Sequence, residues 1–354
     1  MALQIQTDVV LAPLTTLQLG GKARYFAEVS SNHELQEALD YIKKNNLKYY
    51  ILAGGSNTIF SDTGFNGIVI KMAIKGIDRL ELNSQLFRVA AGESFDSFVQ
   101  LTVDLGLSGL ECLSGIPGSV GATPIQNVGA YGQEVKDTVL KVKGIMPNGE
   151  SVEFNNQDCD FSYRNSRFKK GEPLIITEVE FQLNSNSMQS PNYTELKNLY
   201  NEQLDLHHEL QQAEPTEIDK LQILRETVIS IRRRKSMVID STDLDSRSAG
   251  SFFLNPILSQ DQYERIKELL TIAGASVHFV DNQVKLSAAW LVENSGFHRG
   301  YTENGVGISN SHSLALVNRG GSSQELLQLA EKIKFEVEQK FQVELEQEPV
   351  YVNS

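Results

Sequence analysis

The 354-residue sequence has little cysteine, tryptophan or proline: two Cys, one Trp and nine Pro. Cys112 and Cys159 make neither a disulfide framework nor a cysteine metal cluster. Their scarcity fits a reducing compartment, and a cytoplasmic protein is expected. No run approaches the roughly 18 apolar residues of a membrane span. The opening MALQIQTDVVLAPL lacks a basic stretch and a continuous apolar core, so no signal peptide is expected. Positive charge is short as well. With 32 Lys and Arg against 45 Asp and Glu, the net charge of −13 argues against a nucleic-acid partner. Six histidines stand at no metal-binding spacing, and no metal is expected. The length exceeds the roughly 250–300 residues at which single cores stop growing, so two or three domains are expected.

What the chain does have is glycine in one place. Leu113 to Glu134 reads LSGIPGSVGATPIQNVGAYGQE, with five glycines from Gly115 to Gly132 and no lysine or arginine. An anion held here is held mainly by main-chain N–H groups, which glycine lets a ligand approach closely. Neither the P-loop Gly-Lys-Ser/Thr ending nor a GxGxxG turn is present. Taken alone, the stretch equally fits tight turns in an all-β region. A second glycine site, Gly54-Gly55-Ser56-Asn57, follows an apolar strand expected at 49–53.

Around these sites the pattern is mixed α and β. Asn32 is a candidate cap for a helix with Leu35, Leu39 and Ile42 on its apolar face. Strands are expected at 67–72, 87–91, 138–146 and 173–182. Ser94 opens a helix with Phe95, Phe98 and Leu105 inward. Residues 188–235 are charged, poor in glycine and helical after Asn192-Tyr193. Ser259 with Gln262, and Ser322 with Glu325, read as capping boxes. Lys285 to Ser295 reads as a short helix, and the tail from Phe341 alternates like a strand.

The two glycine sites together resemble the flavin-binding segments of the UDP-N-acetylenolpyruvoylglucosamine reductase family, and the likeness runs from about residue 15 to 352. It implies an α+β fold: an FAD-binding domain of the vanillyl-alcohol-oxidase/PCMH type over 16–187, built of two α/β subdomains (16–75 and 76–187). A charged helical insert follows at 188–235, then a substrate-binding α/β domain at 236–340 and a C-terminal strand at 341–354 returning to the active site. It also implies bound, non-covalent FAD lined by Gly54, Gly55, Ser56, Asn57, Ile116, Pro117, Gly118, Gly121, Ala122, Gln126, Asn127, Gly129, Ala130 and Tyr131. No His or Cys sits in either flavin segment to tether it.

Further segments carry the resemblance beyond the flavin. Tyr163-Arg164-Asn165-Ser166-Arg167-Phe168-Lys169 is similar to the family's YRxSxFK and makes Arg164 the catalytic arginine. Ala249-Gly250-Ser251-Phe252-Phe253-Leu254-Asn255-Pro256 resembles AGSFFKNP. It makes Ser251 the proton donor and Asn255 a substrate contact, with Leu254 in place of the usual lysine. Leu345-Glu346-Gln347-Glu348-Pro349-Val350 is similar to LxPEV except that the proline follows the glutamate. Glu348 is the catalytic carboxylate by register, with Glu346 its rival. In Arg232-Arg233-Arg234-Lys235, Lys235 matches the lysine that meets the substrate diphosphate. Pro191 to Leu196 resembles the tyrosine loop found in one of the family's two types, making Tyr193 a lid element. Read without the family, these are a surface ion pair, an element boundary, a solvated acidic strand and cations suited to a helix C-terminus.

The activity implied is reduction of UDP-N-acetylglucosamine enolpyruvate to UDP-N-acetylmuramate in peptidoglycan precursor synthesis, with NADPH as co-substrate. The partners are small molecules, the chain acts as a monomer, and no membrane is involved. Two alternatives remain at this level. One is an FAD-dependent oxidase or dehydrogenase of the same fold acting on a sugar or hydroxy acid. The other is a non-catalytic flavin subunit.

Overall fold

The computed structural model describes residues 3–81, 84–185, 190–275, 277–280 and 282–353. The expected boundary at 187/188 lies outside the described residues. By contacts the chain divides into two compact units. The first holds Met1–Val9, Arg24–Gly54 and Asn66–Arg234; the second holds Val10–Ala23, Gly55–Phe65 and Lys235–Ser354.

The first unit carries two sheets. One has the strand order Ile5–Val10, Lys22–Val29, Phe65–Met72, Tyr49–Leu52, and its last two strands run parallel. The other is antiparallel and five-stranded, in the order Ser151–Asn155, Val139–Ile145, Ile175–Gln182, Leu86–Ala90, Ile77–Arg79. Helix α1 (Asn32–Asn45) buries Leu35, Ala38, Leu39 and Ile42. Its cap is Ser31, whose side chain accepts from Glu34 N; Asn32 is the first helical residue, a shift of one from the expected start. Helix α2 (Phe95–Asp104) starts at Ser94 as expected and buries Phe95, Phe98 and Val99. Leu105, expected inward, lies past its end and is 40% exposed. Phe98 packs on Phe87 and Phe181 at 5.9 and 5.0 Å, and each such buried ring contributes about 1.5–3 kcal/mol. Helices α3 (Thr194–Gln211) and α4 (Glu217–Arg234) form a hairpin. Its Leu196, Tyr200, Leu224, Val228 and Ile231 pack around Cys112.

The second unit contains two three-stranded sheets, a parallel strand pair, and helices α5 (Gln260–Ile272), α6 (Ala288–Asn294) and α7 (Ser323–Phe341). Both expected capping boxes are formed, at Ser259–Gln262 and Ser322–Glu325. Leu326, Ala330, Ile333 and Val337 of α7 are fully buried. Two local expectations shift. Lys285 and Leu286 belong to a strand, Gln283–Leu286, paired on both edges, and helix α6 begins only after its cap Ser287. Of the tail, Phe341 closes α7 and only Val350–Val352 is strand. That short strand pairs in parallel with Thr58–Phe60, just after the second glycine site. Among the described residues no helix is long and apolar enough to cross a membrane.

Candidate active site

In the first unit the glycine-rich stretch lies along the segment that enters α2. Val120 N donates to Glu93 O, Gly121 N to Ala91 O, and Phe95 N to Gly118 O. Ser94 and Ser119 form an antiparallel bridge. Gly54 meets this stretch directly: a Cβ there would overlap the Gly118 Cα, so only glycine lets the two backbones touch. A Cβ on Gly121 would likewise collide with Ala91. Gly115 and Gly118 have φ of 73° and 125°, in the region that glycine favours. The stretch ends in a hairpin, Gly129–Ala130 against Gln133–Glu134, turned by Tyr131 and Gly132 with φ of 51° and 91°. Close main-chain packing, an absence of cations in the stretch and the buried Ser119 hydroxyl, with no protein partner among the described residues, fit a seat for a dinucleotide.

Arg164 is built onto this stretch. Ser162 and Asn165 exchange both backbone hydrogen bonds, at 3.0 and 3.2 Å, so Tyr163 and Arg164 form a tight turn. Arg164 takes the left-handed conformation, φ 51°. Its guanidinium stacks 5.3 Å from the Tyr163 ring centre and donates to the carbonyls of Gly129 and Asn127. Glu134 lies 3.8 Å away. The Asn127 side chain is fully buried and committed to the protein. Its amide donates to Glu134 and to Ser162 O at 2.9 and 3.0 Å, and its oxygen accepts from Lys136 N at 3.1 Å. It joins the stretch, the hairpin and the Arg164 turn. Asn127→Ala is therefore expected to lose on the order of 2–4 kcal/mol through orphaned buried groups. Thermal unfolding with and without added FAD checks this; an unchanged midpoint without FAD would leave the side chain with a flavin contact only.

Tyr193 caps α3 from outside, is 57% exposed, and stands edge-to-face on Tyr131 at 5.8 Å. Burial raises the Tyr131 phenol above its ordinary range. The basic run is divided by the structure. Arg232 is buried in the last turn of α4, Arg234 pairs with Glu195 at 3.6 Å, and Lys235 follows the helix. A cation buried in this segment was not legible in the run, which reads as a plain helix end.

Gly55, Ser56, Asn57, Lys235, Ser251, Asn255 and Glu348 all belong to the second unit. Thr16 N donates to Gly55 O at 3.1 Å, and its hydroxyl donates to Ser248 O at 2.6 Å. One threonine thus ties the glycine turn to the segment that leads into Ser251. Phe252 and Phe253 are almost wholly buried and anchor that segment in the core. Phe253 bridges Gln347, Leu254 N donates to Glu346 O, and Glu348 N donates to Phe252 O at 2.8 Å. Ser251 and Glu348 therefore flank one antiparallel bridge. Glu348 O accepts from Asn57 Nδ2 at 3.3 Å, and Val350 N donates to Asn57 O. The bridge uses the nitrogen of residue 348 and the parallel pair that of 350. Pro349 falls between them, where no N–H is needed, and it holds Glu348 extended. Glu346 is exposed and Glu348 is half-buried. Asn255 Oδ1 accepts from Ala288 N at 2.9 Å. His312, which no spacing indicated, places Nε2 3.3 Å from Ser251 Oγ.

Comparison with known proteins agrees with this architecture. The FAD binding domain family matches residues 23–155, and the C-terminal domain family of UDP-N-acetylenolpyruvoylglucosamine reductase matches residues 242–352. The protein is an FAD-dependent oxidoreductase. The UDP-N-acetylenolpyruvoylglucosamine reductase of Thermobifida fusca is 40% identical over 99% of both chains. That of Mycobacterium tuberculosis is 39% identical over 98% of this chain and 95% of its own. The chain belongs to the UDP-N-acetylenolpyruvoylglucosamine reductase family. The crystal structure of the Thermus caldophilus reductase shares the fold, with a TM-score of 0.66 at 24% identity over 99% of both chains.

Proposed function

We propose that the chain reduces UDP-N-acetylglucosamine enolpyruvate to UDP-N-acetylmuramate, with NADPH as the hydride source, as a cytoplasmic monomer. The observation that carries the reading is the Arg164 turn, whose guanidinium is held by carbonyls of the glycine-rich stretch itself. On this reading residues 16–187 hold the flavin and residues 236–340 the sugar nucleotide. Gly54 to Asn57, and Ile116 to Tyr131, form the FAD seat.

Bound FAD supplies the hydride relay between NADPH and the enolpyruvyl double bond. The chain supplies charge and protons. Arg164 pairs with the substrate carboxylate and stabilises the negative charge that grows there and at C2. Ser251 protonates C2. An isolated hydroxyl is a poor acid, and His312 Nε2 beside it is placed to share that proton. Glu348 orients the reacting group from across the Phe253 bridge. Lys235 and Asn255 meet the diphosphate and sugar. Tyr193 acts as a lid element that excludes water.

Lys235→Ala tests the binding assignment. It is expected to raise KM for the sugar nucleotide and for NADPH on the order of tenfold or more, with FAD retained, as loss of charge-assisted bonds requires. Loss of FAD from the purified variant would move Lys235 to the flavin.

A further inference from the structure

The helical hairpin of α3 and α4 lies outside both matching family segments, which cover residues 23–155 and 242–352. It nevertheless reaches the first glycine of the flavin stretch through two side chains. Arg225 of α4 is 6% exposed. Its two terminal nitrogens grip the Asp96 carboxylate at 2.7 and 3.0 Å, and Nε donates to Gln100, one turn further along α2. The same Asp96 Oδ1 accepts the Gly115 N–H at 2.6 Å. Asp96 is the one charged side chain among these bonds that fasten Gly115 to Gly121 along the segment entering α2. Burial works against its ionisation, but the Arg225 fork and the Gly115 N–H outweigh burial, so its carboxyl titrates below the ordinary range. Beside the fork, Leu224, Val228 and Ile231 seal α4 against Cys112, in the turn just before Gly115.

A peptide N–H bonded to a carboxylate that is itself locked by a bidentate guanidinium has little freedom to rotate. We propose that Arg225 is a positioning residue for the flavin loop: acting through Asp96, it fixes the Gly115 peptide and so sets the affinity for FAD. The hairpin then serves as a buttress for the cofactor seat. This rests on the reading of Ile116 to Tyr131 as that seat.

The test is FAD release from the full-length holoenzyme, followed by recovery of flavin fluorescence on dilution, with unfolding followed separately by far-UV circular dichroism in excess FAD. Arg225→Met is expected to raise the FAD dissociation constant by about tenfold or more, the scale of a lost charge-assisted pair, while stability in excess FAD falls only by the about 1.4 kcal/mol that tenfold weaker binding itself removes. Arg225→Lys, which keeps the charge but not the fork, is expected to fall between. An Arg225→Met protein with the parent's FAD affinity and a lowered unfolding temperature would overturn the proposal, leaving the pair as a helix-docking contact. If Arg225→Met does not fold, Asp96→Asn decides by the same two readings. A parent that binds no FAD would instead sink the seat assignment itself.

Discussion

Replacing Arg164 by methionine is expected to lower turnover on the order of a thousandfold, the upper range for removing a donor aimed at developing charge. Methionine keeps an unbranched apolar stem but removes the guanidinium, with its charge, its hydrogen bonds and its stacking on Tyr163. The guanidinium also holds the carbonyls of Gly129 and Asn127, which makes FAD content the necessary control. Arg164→Lys is expected to recover part of the rate, since it restores charge without the planar fork. The proposed role concerns charge that appears in the transition state, so kcat and kcat/KM should fall together. A rise in KM at unchanged kcat would make Arg164 a binding residue only. Steady-state kinetics with flavin-saturated protein separates the two.

Ser251→Ala should divide the two half-reactions. Flavin reduction by NADPH is expected to proceed at the parent's rate, because no proton from Ser251 enters it. Transfer to the sugar nucleotide is expected to slow by about a thousandfold, within the range for removing a general acid. The substitution is small and its surroundings are firm. Phe252 and Phe253 are buried beside it, and the bridge to Gln347 is made by backbone. Stopped-flow absorbance under anaerobic conditions reads each step alone. Equal slowing of both steps would remove the proton-donor role.

The features legible in the sequence are those that neighbouring residues decide. Ser259 with Gln262 and Ser322 with Glu325 fix helix starts within one turn, and both are formed. The α7 stripe of Leu326, Ala330, Ile333 and Val337 needs only helical periodicity. Lys285 and Leu286 show the opposite case. Their strand exists because Ile257–Ser259 and Val277–Val280 pair on both sides, and nothing at 285 announces those partners. The site divides the same way. Glycine motifs are continuous and readable, and the serine, arginine and glutamate segments came from resemblance. The Arg164 turn, with its positive φ and its carbonyl partners 35 and 37 residues away, did not. Nor did the grip of Arg225 on Asp96 across 129 residues. The order Glu348-Pro349 departed from the family pattern, yet the backbone pairing explains it, since residue 349 lies at the changeover between two partners.

The assignment of Arg164, Ser251 and Glu348 depends on the enolpyruvyl sugar nucleotide being the oxidant of the reduced holoenzyme. The direct measurement is anaerobic reduction by NADPH followed by rapid mixing with UDP-N-acetylglucosamine enolpyruvate while the oxidised-flavin absorbance is watched. The absorbance is expected to return at a rate that rises with the sugar nucleotide, with UDP-N-acetylmuramate formed. Flavin that stays reduced with the sugar nucleotide but reoxidises rapidly on admission of oxygen would contradict the assignment and mark an oxidase instead.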